Sequence, residues 1–319
     1  MEKKDLLKDV IKHIDIKSYN STELIDAMRN MSFTSRDTAR AADILMMMCK
    51  EKECTNILTL AGSTSAAGCM QVYVDMVRNK MIDVVVATGA SIIDMDLFEA
   101  LGFKHYIGEK ENVIADTTLR DLYIDRIYDT YIDEEELQAC DHTTFEIANM
   151  LEARPYSSRE FIYEIGKWLH DGHAVKKDSL IQTCYECGVP IFVPAFSDSS
   201  AGFGIGKHQW ERMQKGEKYL SIDSVKDFIE LTQIKMQAPE TGLFMVGGGA
   251  PKDCAQDTVV CAEILGYETP MHKYAIQITV ADVRDGACSS STLLEAGSWG
   301  KVSHQLQQMV YAEGTTVIP

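Results

Sequence analysis

Five times along this chain a short apolar run ends in a loop of small, polar or glycine residues. Asn56-Ile-Leu-Thr-Leu60 leads into Ala61-Gly-Ser-Thr-Ser-Ala-Ala-Gly68, which holds Ser63 and Ser65. Ile82 to Ala87 leads into Thr88-Gly89-Ala90, and Pro190 to Phe196 into Ser197-Asp198-Ser-Ser-Ala-Gly202. Leu243 to Val246 leads into Gly247-Gly248-Gly249, and Tyr274 to Val280 precedes Asp285-Gly286. Continuous apolar strands alternating with helices predict an α/β fold: a doubly wound, mostly parallel sheet with helices on both faces. In such sheets ligands bind outside the carboxyl ends of the strands, where these loops fall, so a nucleotide or dinucleotide site is expected.

The first ~50 residues read instead as a helical extension, with helices over 6–14, 21–28 and 35–48. No internal repeat or low-complexity linker interrupts the rest, so 1–319 is expected to form one domain. At 45% hydrophobic and 25% charged, the chain can build a large core. No apolar run approaches the ~18–20 residues of a membrane helix. An odd set of nine irregularly spaced cysteines fits a reducing cytoplasm better than a disulfide framework. The net charge of −17 argues against nucleic acid, whose phosphates call for a basic surface. It would draw in a cationic partner such as a polyamine, or it serves solubility alone.

Several local features have two readings. Gly247-Gly248-Gly249 precedes Pro251, a residue suited to a first helical position, so its amides could cradle a phosphate or simply make a tight turn. Cys184-Tyr-Glu-Cys187 has metal or redox spacing but no second ligand pair, so a core role is expected and no metal site. Asp171-Gly172 marks a helix end, which leaves His170 and His173 solvated. Asp133-Glu-Glu-Glu136 reads as a helix start. Thr292-Leu-Leu-Glu295 matches a capping box, which offers Glu295 a purely structural role.

Glu295-Ala-Gly-Ser-Trp299-Gly-Lys301 carries a different chemistry. A lysine attacks a carbonyl or imine only as the neutral amine, which needs desolvation or a neighbouring cation. A flat aromatic beside it suits that need, and a nearby acid could hold a cationic substrate. An isolated lysine of this kind would be an ordinary surface residue.

The run Asp285-Gly286, Glu295, Trp299, Gly300, Lys301 resembles the deoxyhypusine synthase family, with no gap between Asp285 and Lys301. The loops at 61–68, 88–90 and 190–198, the triple glycine, Asp125-Arg-Ile-Tyr-Asp-Thr-Tyr131 and Tyr156-Ser-Ser-Arg-Glu-Phe-Ile-Tyr163 match in order, covering most of the chain. The resemblance implies an NAD-dependent transferase. It would oxidise spermidine, hold the aminobutyl fragment as an imine on Lys301, and pass it to an acceptor amine. In the family the acceptor is a lysine of translation initiation factor 5A; in the related homospermidine synthases it is putrescine. A homotetramer with sites at subunit interfaces is implied as well.

Carried over by position, Lys301 would be the covalent residue, Trp299 a wall for the aliphatic chain and Glu295 a substrate carboxylate. Ser63, Ser65, Thr88, Gly89, Ala90, Asp198, Gly247, Gly248, Gly249, Asp285 and Gly286 match cofactor positions, with Glu313 in place of a ribose-binding aspartate. Asp94 falls near an amine-binding glutamate. Three departures fall in the amine pocket: Phe203 and Cys288 stand where the family has aspartates, and Asp253 where it has a histidine. Losing two acids would leave ammonium groups unpaired at a desolvation cost. The resemblance is thus to a divergent branch whose amine donor or acceptor differs. A catalytically silent paralogue is the alternative of another class.

Overall fold

The computed structural model describes residues 2–108 and 114–319 of the chain. Its strands are β1 (Cys54–Leu60), β2 (Val84–Ala87), β3 (Tyr106–Ile107), β4 (Ile124–Ile127), β5 (Thr130–Asp133), β6 (Pro155–Tyr156), β7 (Ile191–Phe192), β8 (Ser221–Ile222), β9 (Glu240–Val246), β10 (His272–Thr279) and β11 (Val302–Tyr311). Six of them form the central sheet in the order β11-β10-β9-β1-β2-β7, with every neighbouring pair parallel. The chain builds outward from β1 on one side and from β9 on the other. The β1/β9 boundary is therefore the switch point at which a doubly wound sheet opens a crevice. β3, β5 and β4 form a small antiparallel sheet, and β6 pairs with β8.

Alternation along the strands divides the core between the two faces. Leu58, Leu60, Phe244, Val246, Ile276 and Ile278 meet helices that include Phe33–Lys50 and Met70–Arg78. Ile57, Val84, Val86, Leu243, Met245 and Ala275 meet Leu231, Ala255, Leu293 and Ala296 on the other face. Those four come from helices Ser224–Gln237, Gly249–Ile264 and Leu293–Ser298. Helix Phe33–Lys50 reaches the sheet because β9 has no side chain at Gly242. A Cβ there would lie 2.3 Å from Met48 Sδ.

Two sequence expectations are corrected. Residues 6–14 are not a helix: the helix stops at Leu6, and the chain runs extended alongside β3 through a Val10–Tyr106 bridge. Ile11 N donates to His105 O at 2.9 Å, and Ile107 N donates to Asp9 O at 2.7 Å. Tertiary pairing overrides the helical period, since β-branched Val10, Ile11 and Ile14 suit either state. The strand expected over 190–196 is only Ile191–Phe192. It is an edge strand, and Pro194 has no N–H with which to extend the ladder. Asp133, by contrast, caps helix Glu134–Met150 as expected, accepting from Glu135 N and Glu136 N. No helix among the described residues is long and apolar enough to cross a membrane.

Candidate active site

Lys301 immediately precedes β11, at the amino end of that strand. Helix Leu293–Ser298 delivers it, started by a real capping box in which Thr292 accepts from Glu295 N and the Glu295 side chain accepts from Thr292 N. Gly300 turns the chain at φ 74°. Lys301 N then donates to Ala296 O at 3.0 Å, and Lys301 O accepts from His272 N at 2.9 Å. With its backbone pinned on both sides, the side chain is 13% exposed and pairs with two carboxylates: Asp257, in direct contact, and Asp253 at 3.7 Å. Its Nζ lies 5.4 Å from the centroid of Trp299. Asp253 and Asp257 are one turn apart on helix Gly249–Ile264, so they share a face.

These groups line a cavity of about 600 Å³ with Glu295, Cys288, Gly286, Phe228 and Val260. It lies between the helix pair 249–264 and 293–298, on the outer side of the sheet's second face. Its chemistry is a cation ringed by acids over an apolar floor, which suits an aliphatic amine.

The loop 285–291 forms the cavity's upper wall and is anchored beneath by Lys252. That side chain is wholly buried, and Nζ donates to Cys288 O at 3.2 Å, to Ser291 Oγ at 2.8 Å and to Ser291 O. Burial pushes its pKa below the ordinary lysine value. Gln277 Nε2 bridges Gly247 O at 3.0 Å and Ser289 O at 3.1 Å. Gly248 must be glycine for the loop to close, because a Cβ would lie 2.5 Å from Ser289 Cα. Cys288 Sγ faces Gly249 O at 3.2 Å. Its thiol is pushed above the usual range, first by burial and then by Asp253.

A second cavity, of about 440 Å³, opens at the β1/β9 switch point. Ala61, Gly62, Ser63 and Thr64 after β1, Gly247 after β9, and Ala312 and Glu313 after β11 line it, with Tyr128 of the β4–β5 turn at its edge. A Cβ on Gly247 would fall 2.5 Å from Ala61 O, so the two backbones form a close cradle there. Glu313 caps the short helix Gly314–Val317 by accepting from Thr315 N at 3.0 Å.

The structure thus brings Lys301, Trp299, Glu295, Asp253, Cys288 and Gly286 together, and separately Ser63, Gly247 and Glu313. Gly248 and Gly249 lie between the two groups under the 285–291 loop, and Asp285 accepts from Ala287 N at 2.7 Å within that loop. Thr88, Gly89 and Ala90 follow β2 and pack under the 198–200 loop: a Cβ on Gly89 would be 2.5 Å from Ser199 Oγ and 3.3 Å from Asp198 O. Asp198 is exposed, while the Ser65 hydroxyl is buried without a partner. Asp94 does not reach the lysine cavity in this chain. It caps helix Ser200–Lys215, accepting from Ser200 N at 2.7 Å, and burial lifts its pKa to about 6. Phe203 sits on that helix, exposed and away from Lys301.

Sequence reasoning gave no role to Asp257 or Lys252. The four-residue spacing of Asp253 and Asp257 was the available signal for the first. Nothing local distinguishes Lys252 from a surface lysine, because its burial depends on a loop more than thirty residues away. Cys184 is buried and Cys187 exposed on helix Leu180–Cys187, and all nine cysteines are free. His170 Nδ1 lies 3.2 Å from Glu186, and His173 stacks on Trp168 at 4.2 Å.

Comparison with known proteins gives a consistent picture. The model of the deoxyhypusine synthase family matches residues 23–319. A "Deoxyhypusine synthase-like protein" of Caulobacter vibrioides is 68% identical over 318 residues, covering 100% of this chain and 86% of that protein. A Methanosarcina mazei protein named "Probable deoxyhypusine synthase 2" is 40% identical over 307 residues, 96% of this chain and 86% of the relative. Among solved structures, a "putative deoxyhypusine synthase" from Entamoeba histolytica superposes with a TM-score of 0.60 at 18% identity, covering 97% of this chain and 94% of that one. At that identity the likeness concerns the fold.

Proposed function

Because the chain belongs to the deoxyhypusine synthase family, we propose that it is an NAD-dependent aminoalkyl transferase whose covalent residue is Lys301. The observation that carries this reading is the lysine itself: nearly buried, beside an indole, and paired with Asp257 and Asp253 in a cavity of about 600 Å³. Asp257, in contact with Lys301, would take the proton that the lysine must lose before attacking a carbon. Asp253 and Glu295 supply negative charge for a cationic amine such as spermidine, and Trp299 supplies an apolar wall.

The residues at the switch point fit NAD. Gly247 and Ala61 give a backbone cradle, Ser63 and Thr64 give hydroxyls, and Glu313 gives a carboxylate for a ribose diol. When bound, NAD supplies a hydride acceptor and later returns the hydride. Lys301 precedes β11 and Glu313 follows it, so the ten-residue strand separates the two cavities within one chain. The homotetramer implied by the family, in the cytoplasm, would let cavities of different chains meet. The acceptor is a protein lysine or a small amine. Cys288, lining the cavity where the family has an acid, leaves one less charge for a long polycation, so the cavity is read as rebuilt around different amines, and a small acceptor amine is tested first.

The test is to incubate purified protein with NAD and spermidine, offering either putrescine or a factor 5A protein as acceptor, and to weigh the products. The expected product carries an aminobutyl group on putrescine. Transfer only to the factor protein would restore the ordinary family activity. Absence of transfer with any amine, despite NAD binding, would mark a silent paralogue.

A further inference from the structure

Tyr128 occupies the first position of the two-residue turn between β4 and β5, since Ile127 pairs with Thr130 across it. Its φ is 52°, in the left-handed region that side-chain-bearing residues enter at a steric cost and that glycine or asparagine enters readily. The surroundings hold it there: Arg126 Nη1 donates to Tyr128 O at 3.0 Å and Gly108 N donates to Asp129 O at 2.7 Å. The residue is 60% exposed, so its own packing does not account for a tyrosine at that position. Strain kept at an exposed residue beside a cavity points to function.

The turn forms one wall of the switch-point cavity, and Tyr128 is the single aromatic among the described residues that line it. The same cavity is lined by the small apolar residues Ala66, Ala67 and Ala312 and by Glu313. A flat ring, small apolar residues and an acid suited to a diol in one cavity are the surfaces that a protein offers to a nucleoside. We propose that Tyr128 is the stacking platform for the adenine of a dinucleotide whose ribose meets Glu313. This rests on the reading of that cavity as the cofactor's.

Calorimetric titration of NAD and of nicotinamide mononucleotide, which lacks adenine, into wild type, Tyr128→Phe, Tyr128→Ala and Tyr128→Gly tests it. The phenylalanine variant should bind NAD as the wild type does. The alanine and glycine variants should bind NAD about tenfold more weakly, as loss of one base stack implies, with mononucleotide binding unchanged. Tyr128→Gly should also melt at a higher temperature than Tyr128→Ala, because glycine adopts φ 52° without strain. NAD affinity unchanged in the alanine and glycine variants would overturn the platform while leaving the cofactor reading intact. Equal weakening of both ligands would also overturn it, as damage to the cavity at large. Failure of the wild type to bind NAD would overturn both.

Discussion

The two ends of β10 and β11 are built from different materials. At the amino end, around Lys301, the structure concentrates buried titratable groups. Lys235 is wholly buried and donates to Thr241 Oγ1 at 2.8 Å, Thr241 Oγ1 lies 2.8 Å from His272 Nδ1, and His272 Nε2 faces Ala255 O at 3.1 Å. Ala255 O can only accept, so Nε2 carries the hydrogen, and in the neutral ring that burial favours Nδ1 accepts from the Thr241 hydroxyl. The chain of bonds fits a neutral His272, and His272 N in turn holds Lys301 O. At the carboxyl end, around Gly247 and Ser63, the cavity is lined by backbone, small hydroxyls, small apolar residues and the Tyr128–Asp129 turn, with Glu313 beside them. One region is suited to moving protons and charge, the other to receiving a ligand by shape.

The sharpest way to break that contrast is Lys301→Ala. Transfer should fall by at least about a thousandfold, the scale of losing a covalent nucleophile, while calorimetric NAD affinity stays near that of the wild type. Borohydride added with NAD and the amine donor should trap an adduct on Lys301 in the wild type alone, mapped by peptide mass. An adduct on Lys252 or Lys235 would assign the chemistry to a different lysine.

Next in size is Lys252→Met. Methionine fills similar space but leaves Ser291 O without its donor, while Cys288 O keeps the Ser291 hydroxyl at 3.1 Å. A buried acceptor so stranded costs about 1–3 kcal/mol, so a loss of about 2 kcal/mol in urea denaturation is expected. Limited proteolysis should cut first within 285–291. Unchanged stability would mean that the loop is held by Gln277 and the Gly248 contact alone.

pH separates the regions further. Burial, aided by Lys235, pushes His272 down to about 3, against roughly 6.5 in the unfolded chain. Between those values the unfolded state binds a proton that the folded state refuses, so stability is lost as pH falls below 6.5. The slope is about 1.4 kcal/mol per pH unit. Asp94, Asp96 and Asp227, raised by burial to about 6, act in the opposite sense, since the folded state keeps their protons longer. The comparison is therefore wild type against His272→Asn, which retains an acceptor for Thr241. Between pH 7 and pH 5 the wild type should lose about 2 kcal/mol more than the variant. Parallel curves would remove His272 from the account.

What the sequence made legible follows from how local each feature is. The parallel sheet was readable because strands buried on both faces are continuously apolar, and the capping box at Thr292 because its two partners are three residues apart. Residues 6–14 misled because Val10, Ile11 and Ile14 suit a helix or an extended strand, and pairing with β3 decides. The family resemblance sets Asp94 near an amine-binding glutamate, and in the fold its carboxylate caps a helix that starts over a hundred residues later. The acid beside Lys301, Asp257, was visible only as half of a helical pair until the fold brought the 293–301 segment against it.

The smallest effect tests the carboxyl-end region. Glu313→Gln keeps an oxygen to accept from Thr315 N, so the backbone cap on helix Gly314–Val317 survives, while the charge and the second acceptor for the Thr315 hydroxyl are removed. A carboxylate at the ribose of NAD repels the additional phosphate of NADP. Neutralising it should therefore raise NADP affinity about tenfold, the order of one nearby charge contact in partly exposed surroundings, with NAD affinity changed by less. Both are read by titration against the wild type. If wild-type protein already binds NADP as tightly as NAD, Glu313 does not face the ribose, and the switch-point cavity holds the dinucleotide in another direction or not at all.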